Sequence, residues 1–123
     1  MKQTILGAVP SKPNSYKIIT VCGHGSLCKA PALKRYERDF YMQCGSYRGK
    51  MIDDLFELDI DVYVKSMSHD LDNTLKIVLD CLQHAGAIKN DNRCTRIVAR
   101  KFIDKKNPRI EFELKEIDYG QKM

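Results

Sequence analysis

The chain has 123 residues, a net charge of +5, and 43% hydrophobic and 30% charged residues. That balance argues for one globular domain, residues 1–123, with a single core, and against disorder. No apolar run approaches the ~20 residues of a membrane span, and the opening residues lack the apolar stretch of a secretion signal, so a cytoplasmic protein with no membrane partner is expected. Five cysteines without a CxxC pair suit a reducing compartment better than a disulfide framework. Lysine and arginine concentrate in residues 1–52 and 89–109, whereas acids crowd residues 53–61 and 111–118. Two basic blocks on a small domain form the electrostatic footprint of a nucleic-acid binder, or simply a basic solvated surface.

Taken in order, residues 4–9 are β-prone and stop at the turn-rich Pro10-Ser11-Lys12-Pro13-Asn14. Residues 16–21 make a second strand, so the opening reads as a β-hairpin or β-arch. Cys22, His24 and Cys28, with Cys44, invite a zinc reading, but structural zinc sites use tighter cysteine pairs. A glycine-rich loop is the alternative. Gly45, Gly49 and Lys50 imitate a phosphate loop, yet the glycines are too close, and Met51 stands where a hydroxyl should bind magnesium. From Pro31 a helix is expected, with Leu33, Tyr36 and Phe40 on one face and Lys34, Arg35 and Arg38 on the other.

Residues 56–65 alternate apolar Phe56, Leu58, Ile60, Val62 and Val64 with polar partners, the mark of a half-buried strand. Asp59 and Asp61 share its polar face as a carboxylate pair without a Lys76 or Asp91 of their own. A second helix spans residues 71–85, with Gly86 as its stop. Residues 94–103 and 109–117 read as a closing hairpin over a basic turn. The order β-β-α-β-α-β-β predicts an α+β domain with two helices on one mainly antiparallel sheet.

The chemistry concentrates at Asp70-Leu71-Asp72-Asn73, with Lys76 one turn beyond Asp72, and Asp91 after the helix. Two carboxylates this close need positive compensation, and hard divalent ions take such oxygens, completing their shells with water and phosphate. Asp70 and Asp72 also suit the ordinary roles of capping a helix and favouring its positive end.

At Asp70-Leu71-Asp72-Asn73-x-x-Lys76, followed by a helix, Gly86 and Asp91, the chain resembles the RusA family of Holliday junction resolvases. The early strand, the Pro10–Asn14 turn and the basic closing hairpin extend the resemblance over most of the chain. It implies a dimeric, magnesium-dependent endonuclease that nicks two strands of a four-way DNA junction in recombination and repair. Many members are encoded by phages and prophages. The family's metal-binding aspartates correspond to Asp70, Asp72 and Asp91, and its active-site lysine to Lys76. The chain departs from the pattern at His69, where some members carry arginine, and in the loop of residues 22–28.

On this reading the three aspartates hold Mg²⁺ or Mn²⁺, and Lys76 steadies charge on the phosphate oxygens or orients the attacking water. A helix over residues 72–85 is roughly 20 Å long, and five extended residues reach back only about 17 Å. Asp91 therefore returns tightly along the helix or is supplied by a second subunit of a two-fold dimer, which suits a substrate with two symmetric cuts. Lys12, Lys17, Arg93, Arg96, Arg100, Lys101, Lys105 and Lys106 are candidates for phosphate contacts, and Tyr16 for stacking on an exposed base. The alternatives are a flap or fork nuclease without junction preference, and a non-catalytic phage DNA-binding or regulatory module.

Overall fold

Every second side chain from Phe56 to Val64 is buried, and the rest of the domain packs around that strand. The structure, a computed structural model, describes residues 1–21 and 24–117. In chain order the elements are β1 (Gln3–Leu6), α1 (Lys12–Ser15, one turn), β2 (Tyr16–Val21), β3 (His24–Lys29), α2 (Pro31–Gln43), β4 (Phe56–Val64), α3 (Leu71–His84), a 3₁₀ turn (Asp91–Arg93), β5 (Cys94–Ile103) and β6 (Arg109–Glu116). The class is α+β, as expected.

The sheet differs from the expected one. Its four strands run in the order β1-β6-β4-β5; β6 is antiparallel to β1 and β4, and β5 is parallel to β4. The sheet is therefore mixed, and the closing hairpin does not exist: β4 lies between β5 and β6. The cause is the apolar alternation of β4, which makes it the strand best buried on both edges. Parallel neighbours need a crossover, and α3 provides it between β4 and β5. The chain then passes over the end of β4, where Asp104 N–H donates to the Val64 carbonyl (2.9 Å). Arg109 holds this passage, bonded to Asp104 (2.9 Å) and Glu111 (2.8 Å), its guanidinium 3.8 Å from the centre of the Tyr63 ring.

The opening hairpin is also rearranged. β1 pairs with β6 (Ile5 opposite Ile110), while β2 pairs with β3 in a separate two-stranded ribbon. β3 covers much of the stretch expected to be a glycine-rich loop. Its sequence carries no apolar alternation, and the ladder to β2 defines it. Cys22 lies outside the described residues, as does the side chain of His24. Of the other two zinc candidates, Cys28 is half-buried in β3 and Cys44 is wholly buried in the core.

Both long helices cover the buried face of the sheet. α2 begins at Pro31, suited to a first turn, and buries Leu33, Tyr36 and Phe40 as its spacing requires. Phe40 and Tyr47 stack on Phe112 of β6, centroids 6.0 and 5.7 Å apart. α3 buries Ile77, Val78, Cys81 and Leu82 and ends at Gly86, whose φ of +72° only glycine adopts freely. Among the described residues no helix is long and apolar enough to cross a membrane.

Candidate active site

The start of α3 is fixed by its own first residues. Asp70 is the N-cap, and its carboxylate accepts the Asp72 amide (3.1 Å). The Thr74 amide and hydroxyl both donate to the Asp70 carbonyl, at 3.2 Å each. Asn73 is buried, and its side-chain amide donates to the Pro10 carbonyl (3.3 Å), tying the helix to the Pro10–Asn14 turn. The motif asparagine thus explains why that turn and the acidic block lie together. Asp70 and Asp72 remain exposed, as residues with carboxylate oxygens to offer a ligand must be.

The segment before Asp70 is pinned too. His69 N–H donates to the Ser66 carbonyl (3.1 Å), and His69 Nε2 bonds the Thr74 hydroxyl (3.0 Å). Partial burial, reinforced by the nearby Lys101 charge, lowers the His69 pKa below its ordinary value, against the opposing pull of Asp70. Lys101, on β5, donates to the carbonyls of Met67 (2.9 Å) and His69 (2.8 Å).

Asp72, Lys76 and Asp80 follow at i, i+4 and i+8 and form one exposed stripe along α3. The Lys76 ammonium lies 5.7 Å from the centre of the Tyr16 ring. Asp80 was not singled out from the sequence. Its carboxyl borders a crevice formed by Tyr16, Lys29, Leu33, Glu37 and Ile77. Partial loss of water there raises its pKa; Asp91 adds to the effect, while Lys76 and Lys29 oppose it. Its spacing of four from Lys76 was the available signal. Only the return of Asp91 toward it gives that spacing meaning.

Asp91 is exposed in the 3₁₀ turn, its amide donating to Gln83 Oε1 (3.3 Å). The connector does run back from Gly86, but only as far as the last turns of α3. Asp72 and Asp80 are about 12 Å apart along the axis at 1.5 Å per residue. The 3₁₀ turn leads into β5 where Cys94 pairs with Phe56, at the opposite end of β4 from the residues entering α3. One chain thus brings Asp70, Asp72 and Lys76 together and leaves Asp91 at the other end of the stripe. Among the described residues no group of three or more His, Cys, Asp or Glu side chains is close enough to hold a metal ion.

A cleft of about 860 Å³ borders the acidic block. Asp70 and His69 line it together with Ser11, Tyr16 and the first turn of α2 with Arg35. It has ample room for a nucleotide.

The basic candidates divide by location. Lys105 and Lys106 are exposed beyond β5, at the end of the sheet nearest Asp70; Arg93 is exposed at the end nearest Asp91. Arg96 lies 4.0 Å from Glu57. Arg100 is already bonded to Asp61 (2.5 Å) and to Asp59, which explains the second carboxylate pair as its counter-charge across β4 and β5. Lys12 lies in α1 and Lys17 in β2, with side chains outside the described residues.

Comparison with known proteins gives two matches. The family described as endodeoxyribonuclease RusA matches residues 10–115. The crossover junction endodeoxyribonuclease RusA of Aquifex aeolicus is 32% identical over 97 residues, which cover 76% of this chain and 75% of that protein.

Proposed function

The chain belongs to the RusA family and is an endodeoxyribonuclease, and from that premise we propose that it resolves four-way DNA junctions by paired, symmetric, metal-dependent nicks. The observation that carries this reading is the exposed Asp70, Asp72 and Lys76 on one helix, with Asp70 on the wall of the cleft, all within the matched span.

The donor set suits Mg²⁺ or Mn²⁺. Asp70 and Asp72 offer hard oxygens, and the neighbouring imidazole of His69 is engaged with Thr74. Magnesium is commonly bound by one or two carboxylates, with water and phosphate completing the shell. When bound, the cation would polarise the phosphate and acidify a water. Asp70 and Asp72 would hold it at the start of α3. Lys76 presents its ammonium to charge developing on the phosphate oxygens, and Tyr16 beneath it offers a face for an exposed base. Lys12, Lys17, Arg93, Arg96, Lys105 and Lys106 supply phosphate contacts, with affinity falling steeply as salt rises.

Asp91 joins this site from a second copy. Its displacement along α3 supports that reading, because two antiparallel stripes about a two-fold axis bring the Asp91 end of each beside the Asp72 end of the other. A two-fold dimer also matches a substrate with two equivalent scissile bonds.

The test is cleavage of a synthetic four-way junction with and without Mg²⁺, beside a three-way junction and a linear duplex of the same sequence. Nicks confined to the four-way junction and requiring Mg²⁺ or Mn²⁺, with 5′-phosphate and 3′-hydroxyl ends, are expected. Equal cutting of the linear duplex, or cutting in chelator, overturns the proposal.

A further inference from the structure

The sequence offers Lys101 as a phosphate contact, but its ammonium is turned inward. β5 is one of the two edge strands of the sheet and runs parallel to β4, with Lys101 opposite Val62. The chain leaving β4 after Val64 doubles back, so the carbonyls of residues 67 and 69 fall beside that side chain. Lys101 Nζ donates to both, at 2.9 and 2.8 Å. An ammonium has three donors, and two are spent here. Among the described residues Lys101 makes no ion pair within 4.0 Å.

We propose that Lys101 is a positioning residue for the acidic site: by clamping the carbonyls of residues 67 and 69 it sets the direction in which the Asp70 carboxylate projects. This rests on the reading of Asp70 as a metal-holding residue. The His69 carbonyl belongs to the peptide unit that ends at the Asp70 nitrogen. Fixing that plane fixes the entry to Asp70, while the Asp72 amide and Thr74 hold the same residue from the helix side. The clamp reaches Asp70 from a strand distant in sequence, so it registers the sheet edge against the start of α3. A compact ammonium suits two carbonyls two residues apart; a planar guanidinium distributes its donors differently.

The test compares the full-length wild type with Lys101→Met and Lys101→Arg. Amide hydrogen exchange of residues 66–70 is read without DNA or metal. Single-turnover cleavage is read at saturating junction over a range of Mn²⁺ concentrations, and the salt dependence of junction binding is read in chelator. In Lys101→Met, exchange at residues 66–70 accelerates and the saturating cleavage rate falls by about 10-fold to 100-fold, the range expected for misplacement near 1 Å. More Mn²⁺ is needed for half-maximal rate, and the salt slope stays at the wild-type value. Lys101→Arg keeps the wild-type slope and cleaves at an intermediate rate. A phosphate contact behaves otherwise: Lys101→Met lowers the salt slope by about one unit with the saturating rate unchanged, and Lys101→Arg matches the wild type in both. That outcome overturns the proposal, as does unchanged exchange at residues 66–70. If Lys101→Met does not fold, Lys101→Arg alone separates the two readings. If the wild type cuts no junction, the functional reading fails, and the exchange measurement still decides the clamp.

Discussion

One oxygen of the Asp70 carboxylate caps α3 through the Asp72 amide, and the proposed function gives the same carboxylate a second purpose, holding the metal. Asparagine caps a helix about as well as aspartate, so Asp70→Asn separates the two purposes without undoing the fold. Its cleavage is expected to fall by about 100-fold or more, the scale of removing a metal's anionic ligand. Junction binding in a mobility-shift assay is expected to hold or tighten, because a negative charge facing phosphate is gone. Wild-type cleavage by Asp70→Asn in Mg²⁺ contradicts the assignment. At this scale much was legible in the sequence: Asp70, Asp72 and Lys76 are neighbours because helical spacing makes them so. Asn73 was visible as part of the motif but not in its role, and Asp80 was not visible at all, since the first bonds Pro10 and the second lies near Asp91, both distant along the chain. The carboxylate pair Asp59 and Asp61 was visible as a pair, but only the parallel register with β5 shows that it serves Arg100.

Local pattern located the elements and long-range pairing arranged them. β4, α2 and α3 stand where periodicity put them, because each carries an apolar face that only one period can bury. The strands β5 and β6 were also foreseen as strands, but their partner was not. A basic turn between two strands reads as a hairpin, while the competing partner is β4, some thirty residues upstream of β5 and of higher apolar content. The segment crossing the end of β4 depends on Arg109, which gives a test. Its guanidinium lowers the Glu111 carboxyl below the usual 4.5, and the Asn107 amide followed by Arg109 lowers Asp104 below 3.8. Carboxyls depressed in the folded state stabilise it above their unfolded pKa, and that contribution disappears as pH falls through the folded values. The wild-type urea midpoint is therefore expected to decline from about pH 5 to pH 3. Arg109→Met should start from a lower midpoint at pH 7 and decline less over the same range. Parallel curves for the two proteins contradict the role given to Arg109.

For the whole molecule, the distribution of charge and acids has one consequence. α3 carries the chain from one end of the sheet to the other, so Asp70 and Asp91 occupy different ends of the stripe and a single copy does not unite them. The proposed dimer would join them in a site shared between two copies, with two equivalent centres for a substrate with two equivalent bonds. The sequence raised this possibility through length alone, from the helix and the short connector. It held no information on how far back the connector runs, which the Gln83 contact to Asp91 fixes. The most direct measurement mixes Asp70→Asn and Asp91→Asn subunits, each inactive alone, with mass analysis to verify that mixed dimers form. A shared site predicts that the mixture regains nicking, with one intact centre per mixed dimer. Mixed dimers that form and stay inert contradict it.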